Sequence, residues 1–409
     1  EVPANLKAVA RAGAGVNNIP LDKFAEAGIA VFNTPGANAN AVKELVLAGM
    51  LLASRDIIGG VAWVRDNADD PEIQVDAEKA KKAFVGRELK GKRIGVIGFG
   101  VSNQPLVRVL LRNGCDVTVC DRRERAQLGA AGDEAAAQGA KFALGADYLE
   151  HLDFDVIFRT PGLRPDVPEL AAAVAGGSVI TSEMEAFFAV CPCPILAVTG
   201  SDGKTTTTTI ISKLLAAEGK IVHVGGNIGH PLLCDTPEIA PEDMAVLELS
   251  SFQLMTMQTS PHIAVTTNLA PNHLDVHKDY QEYVNAKANI FTHQTAGDIA
   301  VFNADNADTV EQAAKAVGEV RWFSRKQRVD NGVFCENGVI YEAANGTVTP
   351  IMETKDVLLP GVHNIENYMA AFAAVRGMVS YETMREIAKT FGGVEHRIEL
   401  IRTREGVRW

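Results

Sequence analysis

Short apolar runs recur along almost the whole of this 409-residue chain, separated by polar or glycine-containing turns and by stretches with helical periodicity. Runs of this kind are typical of buried parallel strands, and their alternation with helices predicts a multi-domain α/β fold built on parallel sheets. In order, the runs are LKAVARAG, GIAVFNTP, RIGVIGFG, CDVTVCD, DVIFRT, SVITS, PILAVTG, KIVHVGG, MAVLELS, IAVTTNL and DIAVFN.

Charge and composition exclude several classes of protein. A net charge of -12 and a pI of about 5.3 oppose nonspecific binding to a phosphate backbone, so no nucleic-acid partner is expected. The longest apolar run, Leu45 to Ala53, is shorter than the roughly 20 residues of a membrane-spanning helix, so no membrane segment is expected. Six cysteines without the spacing of a zinc or disulfide framework indicate free thiols and a cytoplasmic location.

The segment Ile195 to Gly219, ILAVTGSDGKTTTTTIISKLLAAEG, predicts a strand, a glycine loop and a helix in succession. Backbone N–H groups of such a loop converge at the positive end of the helix and can bind phosphate oxygens. Lys204 would neutralise the β- and γ-phosphates of a nucleoside triphosphate, and the Thr205 hydroxyl would reach Mg²⁺. The spacing GxxGK[ST] is shorter than the general GxxxxGK[ST], so an ordinary turn with a surface lysine is the alternative.

This short loop resembles the phosphate loop of the Mur ligase family, TG[ST][ND]GK[TS], and seven further motifs follow in the family's order. They are GGNIG (225–229), LELSSFQL (247–254), TNLAPNHLDVH (267–277), AKANIF (286–291), NADN (303–306), LPGVHNIEN (359–367) and EHRIE (395–399). The resemblance covers residues 91 to 409 and is strongest to members that add D-glutamate. It implies an ATP- and Mg²⁺-dependent ligase of peptidoglycan-precursor synthesis, joining D-glutamate to UDP-N-acetylmuramoyl-L-alanine through an acyl phosphate.

The same resemblance implies a set of catalytic, metal-binding and ATP-binding residues. The catalytic positions are Lys204, Glu248, His273 and Lys287, and the metal-binding positions are Thr205, Glu248, His273 and, once carbamylated, Lys287. Carbamylation would turn a cation that repels a metal ion into an anion that can hold one. The ATP-binding positions are Gly200, Ser201, Asp202, Gly203, Lys204, Thr205, Thr206, Asn364, Asn367 and Arg397. Without the family, Glu248 is a strand-end carboxylate, His273 a loop histidine, and the two asparagines are helix caps.

Lys90 to Leu111 also predicts a strand, a glycine turn and a helix, but Asn103 stands where a dinucleotide-binding fold has its third glycine. NAD binding is therefore not expected. In Mur ligases with a Rossmann-like first domain, the corresponding turn faces UDP. The resemblance assigns contacts with the UDP-sugar to Val101, Ser102, Asp121, Arg122, Arg123 and Asn227. A solvated cluster of strand-end charges is the alternative for the residues around Asp121.

Residues 1 to 90 do not match the ligase pattern and resemble part of the substrate-binding domain of D-3-phosphoglycerate dehydrogenase, a D-2-hydroxyacid dehydrogenase. Arg11 to Gly15 and Asn33 to Gly36 would be that domain's substrate-facing turns. The later Arg, Glu and His of the dehydrogenase have no counterpart, so hydride transfer would lack its catalytic acid. The resemblance predicts a junction between the two families near residues 98 to 101.

Together these features predict four segments. They are a partial dehydrogenase-like fragment with a linker (1–90), a Rossmann-like UDP-binding domain (91–188), a central ATP-binding domain (189–394) and the start of a third ligase domain (395–409). Because the family's D-glutamate-binding domain would follow Trp409, we expect nucleotide binding without completed catalysis. An NAD-dependent dehydrogenase and an inactive chimera that only binds nucleotides are the alternatives, and the oligomeric state is left open.

Overall fold

The computed structural model describes residues 91–394 continuously, together with residues 6, 8–11, 21–26, 28–33, 63–65, 67–68, 70–71, 73–80, 403–404 and 407–408. The chain divides into two compact units, Glu1–Gly91 and Lys92–Trp409. In the first unit, the described elements are strands β1 (Ala8–Arg11) and β2 (Ala30–Asn33), which pair in parallel, and helices α1 (Leu21–Glu26) and α2 (Ile73–Ala80). The turns expected at residues 12–15 and 34–36 lie outside the described residues.

The second unit begins with a parallel sheet. Its elements are β3 (Arg93–Ile97), α3 (Asn103–Arg112), β4 (Asp116–Asp121), a 3₁₀ turn (Arg125–Leu128), α4 (Gly129–Ala137), β5 (Lys141–Leu144), β6 (Val156–Arg159), α5 (Pro168–Ala175) and β7 (Val179–Thr181). Among the described residues the strand order is β5–β4–β3–β6–β7, all parallel. Ile94 and Val96 pack in a cluster with Leu106 of α3, whereas Ile97 packs in a second cluster with Leu170 of α5. Both faces of the sheet are therefore covered, which explains its continuous apolar strands.

A larger sheet follows. Its elements are α6 (Glu183–Val190), β8 (Ile195–Thr199), α7 (Lys204–Ala217), β9 (Val222–Gly226), a 3₁₀ turn (Leu233–Glu238), β10 (Met244–Glu248), α8 (Ser251–Leu254), β11 (Ile263–Thr266), α9 (Tyr280–Ala288), β12 (Ile299–Asn303), α10 (Ala307–Ala313), β13 (Glu319–Ser324), β14 (Gly332–Glu336), β15 (Val339–Ala344), β16 (Thr347–Glu353), a 3₁₀ turn (Thr354–Asp356), α11 (Val362–Ala374) and α12 (Tyr381–Thr390). Within the described residues the strand order is β16–β15–β14–β13–β12–β11–β8–β10–β9. Strands β8 to β14 are parallel, and β15 and β16 add an antiparallel edge. A short antiparallel pair, β17 (Thr403–Arg404) with β18 (Val407–Arg408), lies near the end of the chain.

Alternate residues of the central strand β8 face two separate cores. Leu196 and Val198 belong to a cluster that contains Ile210 of α7 and Phe372 of α11. Ala197 belongs to the opposite cluster, with Phe187 of α6. The strand is therefore buried on both faces, and its loop is held rigidly at the carboxyl end. In the part of the chain that the structure describes, every helix is too short or too polar to span a bilayer.

Each sheet has one point at which the strand order reverses. In the larger sheet the chain leaves β8 to form β9 and β10 on one side and then β11 on the other. In the smaller sheet it leaves β3 to form β4 and β5 on one side and β6 on the other. Loops diverge at such points and leave a crevice outside the carboxyl ends of the strands, where α/β proteins bind ligands. The fold thus provides two candidate binding positions.

Candidate active site

A cavity of about 390 Å³ lies at the carboxyl ends of β8 and β10, at the switch point of the larger sheet. We call it the β8 cavity. It is lined by Ser201, Asp202, Gly203, Lys204, Thr205, Asn227, Glu248, Ser250, Ser251, Phe252, His273, Tyr283 and Lys287. All four positions at which the sequence suggested catalysis, from Lys204 to Lys287, therefore line one cavity, although up to 83 positions separate them in the chain.

The loop between β8 and α7 is tight, and its two glycines are needed for steric reasons. Gly203 has a left-handed φ of +80°, and a Cβ atom there would lie 2.3 Å from the side-chain oxygen of Asn367. A Cβ atom on Gly200 would lie 1.9 Å from the Thr267 hydroxyl. The Asn268 side-chain oxygen accepts hydrogen bonds from the backbone N–H groups of Ser201 and Asp202, at 3.1 and 2.9 Å. The loop conformation is thus fixed by its neighbours before any ligand arrives.

Glu248 is the last residue of β10 and is only 2% exposed. The Thr205 hydroxyl donates to one of its carboxylate oxygens at 2.6 Å, and the Asn227 amide donates to the other at 2.7 Å. Both donors are neutral, so they fix the direction of the carboxylate without cancelling its charge. The predicted phosphate-loop threonine and the predicted substrate asparagine therefore meet on the same acidic side chain.

Lys287 is a buried cation on α9, 2% exposed. Its ammonium group donates to the Gly200 carbonyl at 2.8 Å and to the Thr199 hydroxyl at 3.2 Å, and it lies 4.9 Å from the centre of the Tyr283 ring. Burial, and then the nearby Lys204 charge, lower the pKa of Lys287 to about 7. A large fraction of the amine is thus neutral near physiological pH.

Lys204, the first residue of α7, folds back over the loop. Its ammonium group donates to the carbonyls of Gly200 and Ser201, at 3.0 and 2.9 Å. Lys204 and Lys287 therefore share the Gly200 carbonyl, and two amino groups, of which the Lys287 group is partly neutral, lie near the N-terminus of α7. Such a concentration of positive charge favours a polyanion.

His273 lies on an exposed turn and lines the cavity. It has a left-handed φ of +53°, and its backbone N–H donates to the side chain of Asn272 at 2.9 Å. Its ring packs edge-on against Phe252, 5.1 Å between centres. His277, four residues later, was not among the residues expected from the sequence. Its buried ring stacks on Phe252 and lies 2.9 Å from the Ser251 hydroxyl. The HxxxH spacing within HLDVH was the available signal for it.

Asn364 and Asn367 lie beside the phosphate loop and do not line the β8 cavity. The Asn367 amide donates to the Asn364 side-chain oxygen at 3.1 Å, and the Thr207 hydroxyl donates to Asn367 at 3.3 Å. Helix α11 begins at Val362, so neither asparagine caps it. Thr206 lies in the first turn of α7 and is also absent from the lining. Arg397 lies outside the described residues.

A second cavity, of about 430 Å³, lies at the switch point of the smaller sheet, and we call it the β3 cavity. It is lined by Ile97, Gly98, Asp121, Arg122, Arg123, Tyr148, Thr160, Gly162 and Leu163. Of the residues expected to contact the UDP-sugar, the structure brings Asp121, Arg122 and Arg123 together here. Val101 and Ser102 are exposed just before α3 and do not line it, and Asn227 lines the β8 cavity.

Asp121 is 5% exposed, and both of its carboxylate oxygens accept hydrogen bonds. Burial alone would raise its pKa, but the Arg123 guanidinium at 2.8 Å and the backbone N–H groups of Phe99 and Arg123 outweigh burial and lower the pKa to about 2. Asn103, which replaces the third glycine, donates to the carbonyls of Ile97 and Gly98 at 3.2 and 2.8 Å. The turn is therefore closed by side chains, a feature that the glycine count alone did not reveal.

Comparison with known proteins identifies the family. The Mur ligase middle domain matches residues 198–375, a range that contains every residue lining the β8 cavity. The UDP-N-acetylmuramoylalanine–D-glutamate ligase of Ruminiclostridium cellulolyticum is 51% identical over 324 residues, which are 79% of this chain and 70% of that protein. This chain belongs to the Mur ligase family. A Mur ligase of the same name from Acetivibrio thermocellus is 48% identical over 324 residues, with the same coverage of 79% and 70%.

A solved structure supports the fold. The crystal structure of UDP-N-acetylmuramate:L-alanyl-gamma-D-glutamyl-meso-diaminopimelate ligase from Neisseria meningitides superposes with a TM-score of 0.50 at 19% identity, covering 74% of this chain and 99% of that chain. The predicted α/β class and the Mur ligase resemblance are therefore confirmed. The resemblance of residues 1–90 to a dehydrogenase finds no support in these comparisons.

Proposed function

We propose that this chain is an ATP-dependent acid–amino-acid ligase that joins D-glutamate to UDP-N-acetylmuramoyl-L-alanine in peptidoglycan-precursor synthesis. One observation carries the proposal. Residues 201–205 of the phosphate loop line a single cavity with Glu248, His273 and Lys287, in a chain 51% identical to a ligase whose name states that reaction. Identity at this level over 324 residues favours a shared substrate as well as a shared fold.

The chemistry requires activation of a carboxylate, which is a poor electrophile. Transfer of the γ-phosphoryl group of ATP to a carboxylate oxygen gives an acyl phosphate and ADP. The amine then attacks the carbonyl carbon, the C–N bond forms, the C–O bond to phosphate breaks, and the amine loses a proton. Loop N–H groups and Lys204 would bind the phosphates and offset their charge.

The residues present fit Mg²⁺. The Glu248 carboxylate accepts hydrogen bonds from two neutral donors, one of them the Thr205 hydroxyl at 2.6 Å. These are hard oxygen donors, and magnesium in phosphoryl-transfer sites is held by few protein groups together with phosphate oxygens and water. When bound, the ion would offset negative charge on the transferring phosphoryl group. His273 also lines the cavity and is the candidate for a second ion.

Lys287 fits conversion to a carbamate. A neutral amine is needed for its nitrogen to bond to the carbon of CO₂ with loss of one proton, and the pKa of about 7 supplies that form. The product is an anion buried beside Lys204, where its charge would be compensated. In this form, Lys287 would complete the set of metal-binding groups.

The β3 cavity is the candidate site for the uridine diphosphate part of the substrate. Arg122 is exposed and lines it, so its guanidinium can meet a phosphate without first leaving a buried partner. Asp121 and Arg123 are already bonded to each other and to the glycine turn, and we assign them to holding the wall of the cavity.

Product analysis tests this proposal. The chain is incubated with Mg²⁺, ATP and UDP-N-acetylmuramoyl-L-alanine, with D-glutamate, L-glutamate or hydroxylamine as the amine. We expect ADP release that depends on the UDP-linked substrate, and a hydroxamate with hydroxylamine, which traps the acyl phosphate. An amide with D-glutamate and not with L-glutamate would show in addition that this chain completes catalysis, against the expectation from its sequence. Release of ADP at the same rate without the UDP-linked substrate would refute the proposal.

A further inference from the structure

One loop lines the β3 cavity and contacts elements that carry residues of the β8 cavity. It spans residues 159–164, RTPGLR, and we call it the bridging loop. Its middle residues Thr160, Gly162 and Leu163 line the β3 cavity. Its two ends carry arginines, and both contact residues that belong to the larger sheet's part of the unit, about 100 positions further along the chain.

Arg159, at the first end, is 2% exposed. Its guanidinium donates to the Thr256 hydroxyl at 3.1 Å and to carbonyls of the bridging loop itself, including that of Thr160 at 3.2 Å. These bonds satisfy a buried cation mainly with neutral acceptors, and burial lowers its pKa. Arg159 therefore fixes the shape of the loop.

Arg164, at the other end, reaches the β8 cavity's own supports. Its guanidinium donates to the Val276 carbonyl at 2.6 Å and to both carboxylate oxygens of Glu282, at 2.9 and 3.0 Å. Val276 lies inside the turn that starts at His273, because its N–H donates to the His273 carbonyl at 3.1 Å. Glu282 lies in the first turn of α9, the helix that carries Lys287.

Glu282 extends these contacts into the cavity wall. It accepts from the Lys278 backbone N–H at 2.8 Å, and one of its oxygens lies 3.5 Å from the buried His277 ring. His277 contacts the Ser251 hydroxyl, and Ser251 lines the β8 cavity. The hydrogen bond from Arg164 is the main reason that the pKa of Glu282 falls to about 2, so the pair is ionised at every physiological pH.

The pair is not fixed by burial alone, since the side chains of Arg164 and Glu282 are 23% and 25% exposed. A ligand that rests on Thr160 and Gly162 would restrict the loop and, with it, the direction of the Arg164 side chain. Restricting a group once lowers the entropy cost for a second ligand that needs the same group in place.

We propose that Arg164 is a positioning residue that couples the two cavities: it holds the His273 turn and α9 against the bridging loop, so that a nucleoside diphosphate in the β3 cavity strengthens binding of a metal–nucleoside triphosphate in the β8 cavity. The inference rests on the proposed function for the identity of the two ligands. It adds a residue, and a thermodynamic link, that sequence motifs did not indicate.

Calorimetry on the full chain tests the link. The dissociation constant of the magnesium complex of a non-hydrolysable ATP analogue is measured with and without saturating UDP, for the wild type and Arg164→Met. We expect UDP to tighten analogue binding about 10-fold in the wild type, a typical coupling between sites, and less than about 2-fold in Arg164→Met. The affinity of Arg164→Met for either ligand alone should stay close to that of the wild type, which loss of structure would not allow.

Three further variants sharpen the result. Arg164→Lys can reach Glu282 but not Val276 at the same time, so we expect it to retain part of the coupling. Glu282→Gln keeps the side-chain shape and should lose most of it, which provides a second test if Arg164→Met folds poorly. Arg328→Met, which removes an exposed arginine paired with Glu336 on β14, should leave the coupling unchanged.

The outcomes separate the two proposals. Full coupling in Arg164→Met, or binding of both nucleotides by the wild type without any coupling, would refute the positioning role and leave the proposed function standing. A wild-type chain that bound neither nucleotide would refute the proposed function, and the positioning role with it.

Discussion

The two cavities lie at equivalent points of their sheets but differ in how their charges are arranged. In the β3 cavity, Asp121 and Arg123 neutralise each other, and their remaining bonds close the glycine turn. In the β8 cavity, Glu248 is held by neutral donors, while Lys204 and Lys287 crowd around one carbonyl. The first arrangement stabilises a wall, and the second concentrates charge around the phosphate loop. On this basis, the proposed function assigns substrate binding to the β3 cavity and the reaction to the β8 cavity.

The largest expected effect tests the role of the Lys204 charge in the β8 cavity. Lys204→Ala should weaken binding of Mg·ATP at least about 100-fold, because a charge-assisted contact with phosphate is lost, while UDP binding is unchanged. Calorimetry with each nucleotide measures both. Lys213→Ala, further along the same helix with its ammonium over the Phe391 ring, is the matched control and should bind both nucleotides normally. Equal ATP affinity in the Lys204 variant would remove the distinction between the cavities.

The next effect tests the rigidity of the phosphate loop. Gly203 and Gly219 flank α7 with nearly the same left-handed φ, +80° and +83°, but a Cβ atom meets Asn367 at Gly203 and nothing within 4 Å at Gly219. Gly219→Ala should cost about 1 kcal/mol in free energy of unfolding, and Gly203→Ala about 2 kcal/mol more together with weaker ATP binding. Chemical denaturation of the two variants gives the difference. Equal costs would mean that the Gly203–Asn367 contact is not maintained in solution.

A smaller effect tests the division of labour within the β3 cavity. Arg122→Ala should weaken UDP binding about 20-fold, the loss of one charge-assisted bond to phosphate, without changing stability. Arg123→Ala should instead lower the free energy of unfolding at neutral pH. The difference from the wild type should shrink as the pH falls from about 4 toward 2, because the stabilisation from the depressed pKa of Asp121 is complete only above the ordinary pKa of a carboxyl group and is lost as Asp121 takes up a proton. Arg112→Ala, exposed on α3, is the control for charge. The reverse pattern would exchange the roles of the two arginines.

The smallest effect concerns the Lys287 amine. With a pKa of about 7, its neutral fraction rises roughly tenfold between pH 6 and pH 8, so ¹³C-labelled bicarbonate should give a carbamate signal at pH 8 that fades at pH 6. Lys287→Met is the blank for this NMR experiment. A signal of equal intensity at both pH values, or one that persists in Lys287→Met, would contradict the assignment to this side chain.

How far the sequence predicted the fold depended on the periodicity of each region. The buried parallel strands, such as β3, β8 and β10, fall within the predicted apolar runs because both faces are covered. The predicted runs did not include β5 or β13, nor did they include β14, β15 and β16, whose mixed polarity reflects their position at and near the edge of the sheet. Two signals for the last three strands were present: Asn337-Gly338 and Asn345-Gly346 form two-residue turns with positive φ at both positions, as hairpins of this type require.

Motifs indicated the residues of the β8 cavity, but not how those residues hold each other. That Asn227 and Thr205 both donate to Glu248, or that Lys204 and Lys287 share a carbonyl, depends on strands distant in sequence. Arg164 belongs to none of the sequence motifs, and its proposed positioning role rests on its contacts with Val276 and Glu282. Sequence motifs indicate which chemical groups a site contains, and tertiary contacts determine which of those groups bond to each other.

The most direct test of the central claim is a crystal structure of the chain with the manganese complex of a non-hydrolysable ATP analogue. The anomalous signal of manganese locates the ion without reference to any assumed pose. The account predicts a peak within bonding distance of the Glu248 carboxylate and the Thr205 hydroxyl, with the triphosphate lying along Gly203 and Lys204. A manganese peak and triphosphate elsewhere on the molecule, with the β8 cavity holding only water, would contradict it.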